Sequence, residues 1–426
     1  MTFLKVDEIE SALVGLHNFY PFYTELIPLP NTTYEGRHSN ALLIRANPDF
    51  TCRPALIFVS GVHAREWGGP DILVNLAADL LEAYATNSGL AYGGKSFNAA
   101  TIRAIVNRTD IVVFPDQNPD GRALSMSPTA TPAQKLWRKN RNPASSGGDP
   151  AKIGVDINRN YDFLWNFPVT FAPNVWPASN DPASDTFFGT GPFSEPEARN
   201  AQWLVDRFPN ARYFVDVHSY TGRVMHPWGD DQNQTTDPSM SFMNPAWDGK
   251  RGIRGDTYRD YVPPARLAEL QTAVAVMHDG IWAVRGQDYL QQQGFDLYPT
   301  SGTSEDWAFT REFLMPSRGN LNGFVIEFNK NIDFFPTWGE MLKLIEDIDA
   351  GLVALCKHAT PSILMVIFCR LKDWLKKRFW VLWHRVFPPE LWGPYGPWGR
   401  IRRVVTSVLG AVAKVVAGLV GRGRGR

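Results

Sequence analysis

The chain predicts an α/β fold: an α/β/α sandwich on a mixed, mostly parallel central sheet, built as a single domain with a basic appendage at its C-terminus. Short apolar runs rich in β-branched or aromatic residues alternate with amphipathic helical stretches, the order that builds parallel sheets. The 426 residues suffice for one large domain or two ordinary ones. A polar motif also follows directly on an apolar strand run, at the strand end where open α/β sheets carry their sites.

The first segment, Val6 to about Tyr23, has helical periodicity and no proline before Pro21. Strands are predicted at Ala41–Arg45, Ala55–Ser60, Ile111–Pro115, Arg212–His218 and Gly323–Phe328, each bounded by turn residues. Helices are predicted at Pro70–Tyr84, Glu195–Arg207, Pro264–Val284 and Thr337–His358. Asn140–Val155, Trp176–Pro192 and Asp230–Asp256 are long, polar and rich in Gly and Pro, and loops of that length in a compact domain are commonly functional.

Hydrophobic content of 44% and charged content of 20% are those of a globular protein. The formal net charge of zero conceals an asymmetry. From Arg370 to Arg426 there are about 13 Lys+Arg against about 2 Asp+Glu, so the preceding body is acidic by about 11 charges. An acidic body suits cationic substrates and gives no reason to expect nucleic acid there. Cys52, Cys356 and Cys369 are widely spaced and odd in number, with no CxxC pair. The N-terminus lacks the basic start and apolar stretch of a signal peptide, so the chain as written is expected to be cytoplasmic.

The strand run Pro54–Ser60 feeds into Val62-His-Ala-Arg-Glu-Trp67. An imidazole and a carboxylate three residues apart, His63 and Glu66, can turn toward one point. There they can supply two of the three protein ligands of a catalytic zinc, with a fourth position open. His63 and Glu66 alone make a two-letter pattern that chance also produces. A candidate third ligand, His218, ends the predicted strand Arg212–His218; read in isolation it is equally a core histidine donating to a carbonyl.

Further motifs fall in order around these residues: Tyr34-Glu-Gly-Arg37, Asn118-Pro-Asp-Gly121, Lys135-Leu-Trp-Arg-Lys-Asn-Arg141, Val155-Asp-Ile-Asn-Arg-Asn160, Tyr298-Pro-Thr-Ser-Gly-Thr-Ser-Glu-Asp-Trp307 and Phe324-Val-Ile-Glu-Phe328. Together with His63, Glu66 and His218, the series resembles the M14 zinc carboxypeptidases of the A/B type, over about Val6 to Thr360.

The resemblance implies one Zn2+ held by His63, Glu66 and His218, with Asp156 hydrogen-bonding the outer nitrogen of His63. It makes Glu327 the general base and Arg138 the residue that polarises the scissile carbonyl. Asn158 and Arg159 match the pair that grips the substrate's terminal carboxylate, and Tyr298 the mobile tyrosine that closes over substrate. Arg65 matches a secondary subsite arginine, with a surface salt bridge as the other reading. Glu305 falls where A-type enzymes carry an apolar residue and B-type enzymes an aspartate at the base of the side-chain pocket. A carboxylate there predicts preference for C-terminal Lys or Arg, unless Glu305 pairs with a neighbour such as Arg311.

The expected function is therefore zinc-dependent hydrolysis of the C-terminal peptide bond, with peptide or protein C-termini as partners and a monomeric state. The alternatives are broad or A-like apolar specificity with Glu305 paired off, a cytosolic tail-processing carboxypeptidase, and a catalytically silent peptide-binding member of the fold. Secreted members carry a signal peptide and propeptide, neither of which is present in this sequence, so localisation has two opposed expectations. Gly229–Tyr258 looks longer than in the animal digestive enzymes. Residues 1–360 are assigned to the catalytic domain. Residues 361–426 are assigned to a basic, apolar appendage, disordered or loosely helical, whose stretch Val404–Val420 is marginal for spanning a bilayer. Weak contact with an anionic membrane surface and an unpacked appendage are the two readings of this tail.

Overall fold

The computed structural model describes residues 2–48, 50–331 and 333–386. Eight strands pair into one sheet: β1 (Thr24–Pro28), β2 (Asn40–Ile44), β3 (Ala55–Ser60), β4 (Asp110–Phe114), β5 (Ala211–Ser219), β6 (Arg223–His226), β7 (Leu290–Gln293) and β8 (Asn322–Phe328). Their order across the sheet is β1-β2-β4-β3-β5-β8-β6-β7. The central neighbours β4, β3, β5 and β8 run parallel, while β1 against β2, β2 against β4, and β8 against β6 are antiparallel. The sheet is thus mixed, with a parallel heart, as the alternation of elements predicts.

All six residues of β3 and all five of β4 are buried, so both faces of the sheet are covered at this point. The covering helices are α1 (Val6–Phe19), α2 (Gly68–Thr86), α3 (Ala99–Arg108), α4 (Pro196–Arg207), α5 (Pro264–Arg285), α6 (Ser304–Leu314) and α7 (Trp338–Ala359). Leu73, Leu76 and Leu80 of α2 are fully buried in the same core as Ile348 and Leu352 of α7. Truncating one such leucine to alanine costs about 2–5 kcal/mol. Helix α2 begins close to the sheet because Gly69 has no side chain: a Cβ there would lie 2.9 Å from Ser60 Cβ and 3.1 Å from the Val217 carbonyl.

The five predicted strands all form, within two residues at each end. Strands β1, β6 and β7 were not predicted. Thr24-Glu-Leu-Ile-Pro ends in proline, Arg223-Val-Met-His is short, and Leu290-Gln-Gln-Gln carries no apolar alternation. Strands β1 and β7 are the two edges, where a single neighbour suffices and solvent tolerates polar side chains. The long polar stretches stay largely irregular. Between them Phe167, Phe171 and Ala178 form a small separate core, joined by Leu164, Val175 and Phe188.

The chain divides after Pro361. The following segment begins with a helix, α8 (Ile363–Val386). The apolar stretch Val404–Val420 and the arginine-rich end lie outside the described residues. Among the described residues no single helix is long and apolar enough to cross a membrane.

Candidate metal centre and active-site cleft

Strands β3 and β5 are adjacent and parallel, with Ser60 opposite Val217, so their C-terminal ends meet at one edge of the sheet. The chain leaves β3 through a turn in which the Glu66 amide donates to the His63 carbonyl at 3.0 Å. This turn swings both side chains toward His218, the penultimate residue of β5. His63 Nδ1 lies 2.7 Å from Glu66 Oε1, His218 Nδ1 lies 3.1 Å from Glu66 Oε2, and the two Nδ1 atoms are 3.2 Å apart. All three residues are at most 4% exposed.

These atoms fit a zinc ion. Two donors about 2.0–2.1 Å from one ion at a tetrahedral angle lie about 3.3 Å apart, close to the separations seen. Two imidazole nitrogens facing each other across 3.2 Å also need a cation or a proton between them. Among the described residues, His63, Glu66 and His218 are the group of three whose ligand atoms all fall within 4.8 Å of one another.

Each outer imidazole nitrogen faces a carboxylate. His63 Nε2 is 3.3 Å from Asp156 Oδ1, and His218 Nε2 is 3.2 Å from Asp216 Oδ2. Such partners set the tautomer that leaves Nδ1 free for a metal. Asp216 carries no role in the sequence reading. Residues i and i+2 of a strand project to the same side, so its spacing from His218 was the available signal. Burial pushes the Glu66 carboxyl up, but His63 and His218 outweigh it and hold Glu66 well below the usual carboxylate range.

Asp156 serves a second residue as well. Its Oδ2 accepts from Arg138 Nε at 2.9 Å, with Nη2 at the same distance, and its Oδ1 accepts from the Asn158 amide at 3.0 Å. Burial would raise this carboxyl, yet Arg138 and His63 hold it far below its ordinary value. One buried carboxylate therefore orients a metal ligand and Arg138 together.

Arg65, Arg138, Arg159 and Tyr298 line one cleft of about 430 Å³. Arg159 is 2% exposed, its Nε donating to the Pro177 carbonyl at 2.9 Å and its Nη1 to the Asn158 carbonyl at 2.6 Å. Its guanidinium carbon lies 6.0 Å from the Tyr298 ring, which is 47% exposed. Asn158 Oδ1 accepts from the Ser304 amide at 2.8 Å, which ties the Arg159 segment to the start of α6. Arg65 makes the ion pair that the sequence left open, with Asp185 at 2.9 Å, while still lining the cleft.

Glu327 on β8 stands in register with His218 on β5. Burial, with the charges of Glu66 and Asp216, pushes its carboxyl up to about 8 against the opposing pull of His218 and Arg138. A carboxyl poised near neutrality suits a group that accepts and returns a proton.

Glu305 is 8% exposed in the first turn of α6 and does not line the cleft. Its Oε2 has no hydrogen-bond partner among the described residues. Arg311, the arginine that could have neutralised it, is instead ion-paired with Asp206 and stacked 5.0 Å from the Trp307 ring. The adjacent Asp306 accepts from the Gly229 amide at 3.0 Å and from Thr303 Oγ1 at 3.1 Å. A Cβ on Gly229 would clash with Thr300 Oγ1 at 2.1 Å, so only glycine lets the backbone pass here.

A zinc carboxypeptidase family model matches residues 9–347, and the chain belongs to that family. It is a metallocarboxypeptidase, a peptide-bond hydrolase of a class that uses one zinc ion. Carboxypeptidase B of Astacus astacus is 27% identical over 306 residues, covering 71% of this chain and 80% of that protein. Zinc carboxypeptidase A 1 of Anopheles gambiae is 27% identical over 347 residues, covering 79% of this chain and 65% of its own length. An inactive metallocarboxypeptidase of Ajellomyces capsulatus is 30% identical over 220 residues, 50% of this chain and 32% of that protein. Among solved structures, thrombin-activatable fibrinolysis inhibitor superposes with a TM-score of 0.62 at 19% identity, covering 84% of this chain and 74% of that one. Carboxypeptidase A of Helicoverpa armigera gives 0.59 at 21%, covering 83% and 74%. At these identities the structures speak for the fold alone.

Proposed function

We propose that this protein removes the C-terminal residue of peptides and prefers Lys or Arg at that position. The observation that carries the exopeptidase reading is the placement of Arg159 and Tyr298 in one cleft with Arg138. A fixed guanidinium fork holds a terminal carboxylate, and a chain continuing past it would have no room to bind the same way. His63, Glu66 and His218 would hold the zinc ion, which would supply Lewis acidity and a lowered pKa for water when bound.

The chain's own residues do the rest. Glu327 takes a proton from the attacking water and returns it to the leaving amine. Arg138, fixed by Asp156, donates to the scissile carbonyl oxygen as negative charge develops there. Arg159 and Asn158 hold the terminal carboxylate, and Tyr298 closes over the bound residue and excludes water.

Support for the basic preference comes from Glu305. A buried carboxylate oxygen without a partner is costly, and a cationic side chain arriving with the substrate offsets that cost. The test is to purify the full chain, measure bound zinc, and follow release of C-terminal Arg, Lys, Phe and Glu from matched peptides. Arg and Lys are expected to leave fastest. Faster release of Phe would remove the basic preference, and a protein that binds zinc but releases none of the four would remove the exopeptidase reading.

A further inference from the structure

Trp176 is 69% exposed, yet the loop that bears it is firmly held. The indole meets Phe167 of the small separate core edge-on, with ring centroids 6.1 Å apart. The Val175 amide donates to the Ala172 carbonyl at 2.9 Å, and the Ala172 amide to the Arg251 carbonyl at 3.0 Å. Arg251 is fully buried and staples two loops: Nη1 donates to the Thr170 carbonyl at 3.1 Å and to Asp248 at 2.7 Å, and Nη2 to the Phe242 and Asn244 carbonyls at 3.3 Å. A Cβ on Gly252 would lie 2.5 Å from Val175 Cγ1, a measure of how closely the two loops meet. The Trp176 backbone is therefore fixed while its ring faces solvent.

Trp176 also belongs to the substrate cleft, whose lining includes Arg138, Arg159 and Tyr298. The carbonyl of its neighbour Pro177 is what orients the Arg159 guanidinium. An aromatic wall thus stands one residue from the anchor of the group assigned to the terminal carboxylate. Arg65 is paired with Asp185 and Arg138 with Asp156, and next to them Val175, Trp176 and Pro177 form a run of apolar lining.

We propose that Trp176 is a specificity-determining residue that packs against an aromatic or large aliphatic side chain at the penultimate position of the peptide. The inference rests on the carboxypeptidase reading above. In that reading the terminal side chain is directed at Glu305, which does not line this cleft, so the rim is left to the residue before it. An exposed indole on a fixed backbone gains by covering its face with another apolar group, without the entropy of ordering a loop.

The test uses the zinc-loaded full chain and two blocked peptides that differ only in ending Phe-Arg or Ala-Arg. The wild type should favour the phenylalanine peptide in kcat/KM by about tenfold, the order expected of one apolar contact. Trp176→Ala should bring that ratio near one, chiefly through a raised KM for the phenylalanine peptide, and Trp176→Phe should keep most of it. A wild-type ratio near one, or a ratio that survives Trp176→Ala, overturns the proposal. Release of arginine from neither peptide overturns the carboxypeptidase reading, and this subsite falls with it.

Discussion

Two clusters of buried charge lie close together at the strand ends, and they are balanced in opposite ways. In the metal group, Glu66 and Asp156 face His63, His218 and Arg138, and both carboxyls sit far below their ordinary range despite burial. In the cluster that begins at Glu305, carboxylates face one another. Burial, with neighbouring acids, raises Glu305, pushes Asp306 and Asp260 well up and brings Asp231 to about 8, while burial alone brings Asp230 to about 6 against the pull of Arg251. The first cluster is an assembled electrostatic unit that presents Nδ1 and carboxylate oxygens to an ion. The second holds carboxyls that burial drives toward their protonated form, a rise that Arg251 opposes at Asp230 and Asp260. Neighbouring buried acids on one fold can thus be held ionised by cations or pushed toward the protonated form by burial and by one another.

Four substitutions sharpen or break this contrast. The largest effect is expected from Glu327→Gln, which keeps shape and hydrogen bonding but cannot accept a proton. Arginine release should fall by about 10²–10⁴-fold in kcat with bound zinc unchanged; undiminished turnover would take Glu327 out of the proton transfer. Next, Asp216→Asn disturbs the balanced cluster from outside the ligand set. Zinc affinity, measured by competition with a chelator, should drop about 10–100-fold, and an unchanged affinity would mean that His218 orients itself without Asp216.

Glu305→Gln probes the unbalanced cluster. The ratio of Arg to Phe release should fall about tenfold or more, since a neutral amide no longer offsets a buried guanidinium. If the ratio holds, the acidic cluster does not select the terminal residue. The smallest effect concerns stability. A carboxyl whose folded-state pKa exceeds its unfolded value stabilises the fold only while protonated, so stability present near pH 4 is lost as pH rises through the folded value of about 6 for Asp230. Asp230→Asn removes that ionisation beside Asp260 and should lessen the loss of unfolding free energy between about pH 4 and 6, by on the order of 1–3 kcal/mol, seen as a smaller fall in Tm over that range. Parallel Tm curves for the two proteins would show that the cluster is relaxed by other means.

Much of the molecule is legible without coordinates. Ala55–Ser60 reads as a strand because five apolar residues in a row between turn signals have few other places to go, and the structure buries all six positions. His63 and Glu66 are legible because their spacing is local and they follow that strand. Strand β7 is not, since Leu290-Gln-Gln-Gln carries no apolar alternation and pairs only because β6 offers an open edge. Asp216 has no role in the sequence reading, although its spacing of two from His218 is visible there. Asp156 was expected beside His63, and its second partner Arg138 is a contact that no local pattern encodes.

By itself, the sequence determined the order of strands and helices, the residue types that bind a metal, and the chemistry each of them can perform. These depend on periodicity and on functional groups, which are properties of neighbours along the chain. The tertiary structure decided which of those groups share a charge. It paired Arg311 with Asp206 and left Glu305 Oε2 without a partner among the described residues, placed one carboxylate between His63 and Arg138, and fixed the loop of Trp176 against Arg251. The reason is physical: burial makes every unpaired charge expensive, and which partner meets it is settled by segments distant along the chain that only folding brings together.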